Sequence, residues 1–177
     1  MTDEDLALLF EGLRGTNLQG RARLLVAFAT QHARLLCFDE FPLPDAQQGV
    51  LCATELHRDT ASGFTLYLHA IRGGATSAVH DHASWAVIVG VQGIEINRLY
   101  QRTDHAGPHA DHAQLRLCRE VAVGPGDTLL LEQGLYHSIH VPADVPALQL
   151  HLYGQALDAQ PNRHAVDLAT GRRVPLA

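Results

Sequence analysis

Between Val50 and Tyr153 the chain is built from short apolar runs divided by glycine, proline and aspartate. This pattern restricts the fold more than any other feature. The runs Val50–His57, Phe64–Ile71, Ala78–Val91, Ile94–Gln101, Leu115–Val123, Asp127–Glu132, His137–Val141 and Ala147–Tyr153 have the composition of strands. Turn residues separate them at Asp59–Gly63, Arg72–Gly74, Gln92–Gly93, Thr103–Asp111, Gly124–Gly126, Gln133–Gly134 and Pro142–Pro146. Many short strands at this spacing predict a sandwich or barrel, because each sheet must bury one face and shield its edges. Residues 3–36 read differently. Thr2 or Asp3 can cap a first helix with Leu6, Leu9, Phe10 and Leu13 on one stripe, and Gly15 and Asn17 break it. A second helix is expected over Leu18–Leu36, burying Leu24, Leu25, Phe28 and Leu35, before Pro42 and Pro44 end helical structure. From Ala156 the pattern weakens, and this tail is expected to wrap the outside. The expectation is a mainly β single domain, 1–177, with a helical extension (1–40), a barrel (48–155) and a tail (156–177).

A chain of 177 residues with 46% hydrophobic content supports one soluble domain with a real core. The net charge of −6 argues against nucleic acid and anionic membranes as partners. No apolar stretch is long enough to span a bilayer, and the acidic start, Met1-Thr2-Asp3-Glu4-Asp5, is unlike a signal peptide. Cys37, Cys52 and Cys118 are odd in number and lack metal-type spacing, so free thiols in a cytoplasmic protein are expected. All 13 positive charges are arginine, a composition bias that also suits carboxylate recognition.

The outlier is histidine, with 12 copies. His80-Asp81-His82 lies mid-chain, and His137 follows about fifty residues later. Residues two apart on a strand share a face, so His80 and His82 point the same way. A lone H-x-H pair is equally consistent with satisfied or surface histidines. A third imidazole from a second strand would complete a set able to bind a divalent metal with positions left open.

Both histidine segments lie in glycine frames. The first reads Gly74, His80, His82, Ala86, Gly93, in register with the cupin pattern G-x5-H-x-H-x3-E-x6-G. The second reads Gly126, Glu132, Gly134, His137, Val141, in register with G-x5-P-x-G-x2-H-x3-N. The chain therefore resembles the cupin superfamily, which implies a double-stranded β-helix, or jelly-roll barrel. Ala86 replaces the usual carboxylate ligand. A closer resemblance is to the thiol dioxygenase branch, of the cysteine or 3-mercaptopropionate type. It rests on Ser77 to Gly93, which is similar to S/T-P-V-H-D-H-x-x-W-G-x-x-G-x-x-x-G, and on His151-Leu152-Tyr153-Gly154, similar to H-V-Y-G. It covers about residues 50–165.

That resemblance implies Fe(II) held by His80, His82 and His137, and addition of both atoms of O2 to a small thiol carboxylate to give a sulfinate. Nickel, zinc and manganese also accept three histidines. Three neutral imidazoles leave the ion's charge uncompensated, so an anionic thiolate and O2 can occupy adjacent positions, the metal itself deprotonating the thiol. The resemblance also makes His151 and Tyr153 an outer-sphere relay. Gln149 stands where the family has serine. The substrate carboxylate needs a cation. Thr54 stands where cysteine dioxygenases have arginine, and Arg163 is the nearest match to the arginine of the mercaptopropionate branch, with Arg58, Arg72 and Arg98 as other candidates. Trp85 is expected near the cavity mouth. His69 reads as facing the cavity beside Tyr67, His140 as exposed or outer-sphere, and His105, His109 and His112 as a solvated loop. His32, His57 and His164 carry no separate signal. Expected partners are a small molecule and O2, with the chain a monomer or homodimer. Two other functions remain open: an oxygenase for a non-thiol substrate, and a metal- or ligand-binding protein without turnover.

Overall fold

The structure, a computed structural model, describes residues 1–45, 47, 49–105, 110–160 and 163–176. Helix α1 (Asp3–Arg14) opens on a capping box: Thr2 Oγ1 accepts the Asp5 N–H at 3.2 Å, and Asp5 Oδ2 accepts the Thr2 N–H at 2.7 Å. Its buried stripe is Leu6, Leu9, Phe10 and Leu13, as the spacing predicts. Helix α2 (Leu18–Gln31) starts at Asn17, whose Oδ1 accepts the Gly20 N–H at 3.0 Å. It stops short of Leu36. The N–H groups of Leu35 and Leu36 both return to the His32 carbonyl, at 2.9 and 3.0 Å, and this turn brings Leu36 inward and leaves Leu35 40% exposed. Ala22, Leu25, Phe28 and Ala29 are buried, while Leu24 is half-buried.

Eleven strands follow: β1 (Leu51–Arg58), β2 (Thr65–Ile71), β3 (Val79–Asp81), β4 (Ala86–Gln92), β5 (Glu95–Arg102), β6 (Leu115–Val123), β7 (Thr128–Leu131), β8 (Tyr136–His140), β9 (Ala147–Tyr153), β10 (His164–Val166) and β11 (Arg173–Pro175). They form a five-stranded sheet, β1-β2-β9-β4-β7, and a six-stranded sheet, β11-β10-β3-β8-β5-β6. Strand neighbours are antiparallel throughout, giving a jelly-roll barrel.

Two sequence expectations need correction. Ala78–Val91 is not one strand. β3 and β4 lie in opposite sheets, and residues 82–85 carry the chain across the gap between them. Nor does the tail merely wrap the outside. β10 pairs with β3, matching Ala165 to His80 and Val166 to Val79, so residues beyond Ala156 complete the sheet that carries the histidines. The reason is a long-range pairing that local composition does not encode. Asp81 Oδ1 reinforces it by accepting the His164 N–H at 2.7 Å.

The five-stranded sheet sorts its residues by alternation. Leu66, Leu68, Val87, Val89, Leu148, Leu150 and Leu152 face the helices and form the larger core with Leu9, Phe10, Leu13, Leu25 and Phe28. Tyr67, Ala86, Ile88, Leu129, Leu131 and Tyr153 face the barrel interior with Leu99 and Val123. At the hairpin between β4 and β5, Gly93 has φ +67°, and a Cβ there would run into the Pro146 carbonyl oxygen. Among the described residues no helix is long and apolar enough to cross a membrane.

Candidate metal centre

β3 and β8 are adjacent, and their register places His80 directly opposite His137. Both side chains point into the barrel. His82 lies just past the end of β3, where the chain begins to cross, and turns back toward them. The ring centroids are 4.5 Å apart for His80–His137 and 5.0 Å apart for both His80–His82 and His82–His137. One ligand nitrogen from each residue lies within 4.8 Å of the others, and all three residues are buried.

The hydrogen bonds behind the rings decide which nitrogens face the centre. The Ala78 carbonyl can only accept, so His80 Nδ1, 3.0 Å away, carries the proton and Nε2 keeps its lone pair. His137 Nδ1 lies 2.8 Å from Asn97 Oδ1, while Asn97 Nδ2 donates to Glu95 Oε1 at 2.8 Å. The amide oxygen therefore accepts from Nδ1, and His137 Nε2 also presents a lone pair. His82 Nε2 is 2.9 Å from His137 Nε2, and His82 Nδ1 has no hydrogen-bond partner. A separation of 2.9 Å matches two neighbouring ligands at right angles around an ion with bonds of about 2.1 Å.

Burial holds all three imidazoles below their ordinary titration range, His82 and His137 well below it. At His80 the Ala78 hydrogen bond acts in the opposite sense. The groups are therefore neutral near pH 7, which is the ligating form. The donor set fits a divalent transition ion, and Ala86, fully buried at the motif's carboxylate position, adds no ligand.

The outer groups are arranged as follows. Tyr153 is buried, with its ring 4.9 Å from that of His82. His151 Nδ1 is 3.0 Å from the Tyr153 hydroxyl, and His151 Nε2 is 3.6 Å from Glu95 Oε2. Burial, and then the negative charge of Glu95, push the Tyr153 hydroxyl well above the usual phenol range, so it keeps its proton. Gln149 is fully buried, but its Nε2 donates to the Val123 carbonyl at 3.4 Å. His69 faces the interior beside Tyr67, stacked on His151 with ring centroids 3.9 Å apart.

Arg163 immediately precedes β10. Continuing the β10–β3 register sets it beside His82. Its positive charge reaches the cluster, adding smaller lowering effects after burial at His80 and His82 and opposing the rise at Tyr153. The other candidate arginines are engaged elsewhere. Arg58 pairs with Glu55 and Asp158, Arg72 donates to the Pro44 carbonyl, and Arg98 pairs with Glu120. Trp85 corrects an expectation. It packs in the helix-facing cluster, edge-on to Phe64 at 5.0 Å, with the Arg21 guanidinium 4.5 Å from its ring. Its place in the crossing segment sends it outward. His140 is half-buried with Nδ1 3.0 Å from Thr76 Oγ1; His105 and His112 are exposed, and His109 lies outside the described residues. The three cysteines are free thiols.

Sequence reasoning missed Glu95 and Asn97, both fully buried on the inward face of β5. In Ile94-Glu95-Ile96-Asn97 the alternation is plain, but its phase is the reverse of the usual one: the polar pair faces in, and Ile94 is 44% exposed.

No protein-family model matches the sequence, and no curated protein matches it. Solved structures do. A cupin-2 domain, Rru_A2000 from Rhodospirillum rubrum, superposes with a TM-score of 0.52 at 13% identity, covering 68% of each chain. Oxalate oxidase in complex with the substrate analogue glycolate gives 0.49 at 15% identity, over 65% of this chain and 56% of that one. The DMSP lyase DddQ from Ruegeria pomeroyi DSS-3 gives 0.47 at 15% identity, over 66% and 53%. The chain spans 39%, 53% and 56% of the length of the DMSP lyase and oxalate oxidase structures among its matches. The likeness to the cupin-2 domain establishes a cupin-type fold. The chain folds as a jelly roll of that type, with three buried histidines able to hold a metal ion.

Proposed function

We propose that this protein is a metal-dependent dioxygenase that converts a small thiol carboxylate, such as 3-mercaptopropionate or cysteine, to its sulfinate. The observation that carries this reading is the convergence of three buried, neutral imidazoles with no carboxylate ligand, beside the Arg163 cation. His80, His82 and His137 would hold Fe(II), which when bound supplies an open-sided Lewis-acidic centre where a thiolate and O2 can meet. The reaction balances without an external reductant: RS⁻ + O2 gives RSO2⁻, with sulfur supplying the electrons that reduce both oxygen atoms.

Arg163 receives the substrate carboxylate, where a guanidinium can bind both oxygens. Tyr153 keeps its proton, and its hydroxyl, 3.0 Å from His151 Nδ1, can orient a bound molecule. The test is oxygen uptake and sulfinate formation by iron-loaded protein given 3-mercaptopropionate, cysteine and cysteamine. Sulfinate from the first or second supports the reading, and no sulfinate from any thiol overturns it.

One observation favours an oxygenase for a non-thiol substrate. Gln149 replaces the serine of the thiol dioxygenase relay, and its side-chain hydrogen bond goes to the Val123 carbonyl and not to His151. Oxygen uptake with carbon acids or diketones, and none with thiols, would select that alternative.

A further inference from the structure

Glu95 is a costly residue to bury. It is fully enclosed, and among the described residues its only side-chain hydrogen bond is from Asn97 Nδ2 to Oε1. A lone carboxylate in a barrel interior carries a large desolvation penalty. Its position explains what it can do there, because two chains of contacts leave it in opposite directions. One runs from Oε1 through Asn97 to His137, and the other from Oε2 past His151 to Tyr153.

As a carboxylate, Glu95 forces the sense of the first chain and favours that of the second. Oε1 can only accept, so Asn97 must turn its amide N–H toward Glu95 and its oxygen toward His137. That oxygen also can only accept, so His137 must carry its proton on Nδ1 and present the Nε2 lone pair to the metal centre. On the other side, Glu95 Oε2 lies 3.6 Å from His151 Nε2, too long for a hydrogen bond but close for unscreened charge. An unprotonated Nε2 would set its lone pair against the carboxylate. The favoured ring therefore has Nε2–H toward Glu95 and a bare Nδ1 that accepts the Tyr153 hydroxyl. His69 stacks on this ring without hydrogen-bonding to it and leaves the choice open.

We infer that Glu95 is a positioning residue that sets the proton placement of both chains at once: a metal-presenting His137, and a His151 that takes the hydroxyl proton of Tyr153 in a hydrogen bond. This rests on the metal-site reading of His80, His82 and His137, but not on any particular substrate. An isosteric amide cannot replace it. Glutamine at position 95 offers one acceptor and one donor edge, so one chain must reverse. If the Asn97 chain reverses, His137 loses its free Nε2. If the other reverses, His151 donates to the Tyr153 oxygen.

The test is the nitrogen NMR spectrum of histidine-labelled, metal-free protein, which reports the tautomer of each ring. In the wild type, His137 is expected as the Nδ1–H form and His151 as the Nε2–H form. The opposite tautomer on either ring overturns the inference, and this measurement needs no variant. In folded Glu95→Gln one of the two rings is expected to switch, whereas Glu95→Asp keeps both. If His137 switches, Fe(II) affinity measured by chelator competition falls about 10- to 100-fold, the range for losing an outer contact of a ligand. Unchanged tautomers in folded Glu95→Gln overturn the inference. Since no reading uses a thiol, failure of sulfinate formation would leave this result intact, and the reverse also holds.

Discussion

His69 offers a direct test of how this barrel interior is built. The ring is 5% exposed, neither nitrogen has a hydrogen-bond partner among the described residues, and one face stacks on His151. Burial, and then the nearby His151, hold it well below the ordinary value of 6.5. The folded state thus resists protonation while the unfolded chain accepts it. Stability from this residue is fully present above about pH 6.5 and is lost as pH falls below that value, because protons then bind the unfolded state first. One fully depressed histidine contributes a loss of about 1.4 kcal/mol between pH 7.5 and 5.5. Phenylalanine keeps a flat ring on His151 and does not titrate. The perturbation is therefore His69→Phe, assayed by urea unfolding of metal-free protein across that range. The metal-site histidines are held down by burial in both proteins and cancel. Any packing offset is constant with pH. The gap between wild type and variant should change by about 1.4 kcal/mol in favour of the variant as pH falls, or about 3–6 °C in melting temperature. Parallel stability curves would refute the reasoning, since His69 would then take up protons alike in both states.

Three further outcomes follow from the geometry. Replacing Arg163 with glutamine should raise KM for 3-mercaptopropionate about tenfold and leave cysteamine, which lacks a carboxylate, nearly unchanged; an equal loss for both thiols removes the anchoring role. Anaerobic Fe(II) at 100 times its dissociation constant should stabilise the fold by about 2.7 kcal/mol, and thermal melts of His82→Ala should show that gain abolished; an identical gain in the variant would place the ion elsewhere. Gly93→Ala forces a side chain into positive φ and against the Pro146 carbonyl. It should cost at least about 2 kcal/mol in urea unfolding, and a neutral effect would mean the hairpin relaxes freely.

The interior of this barrel is unusually polar for its position. Between the metal histidines and the apolar cluster of Ile71, Ile139, Val141 and Ala147 lie His69, Glu95, Asn97, Gln149 and His151, all buried. Such a layer contributes little to stability, because each group gives up hydration for an incomplete set of hydrogen bonds. Stability comes instead from the opposite face of the same sheet, where Leu66, Leu68, Leu148, Leu150 and Leu152 meet the helices. One sheet therefore serves two purposes on its two faces, and a strand period of two is what keeps them separate.

What local chemistry could specify was legible in the residues themselves. Apart from Ala78–Val91, the runs between Val50 and Tyr153 form strands where composition and turn residues place them, whereas β10 and β11 carry no such signal. The glycines framing the histidines, Gly74, Gly93, Gly126 and Gly134, all take positive φ. The resemblance of the two glycine-framed histidine segments to the cupin motifs pointed to His80, His82 and His137 as one centre, and the three converge. Tertiary structure alone decided the rest. It put Glu95 and Asn97 inside, turned Trp85 out to the helices, broke one expected strand into two sheets, and drew Arg163 beside His82 through the β10–β3 pairing. The physical reason is that alternation shows which residues share a face but not which face is buried. That choice, and the pairing of strands far apart in the chain, are settled only when the whole barrel closes.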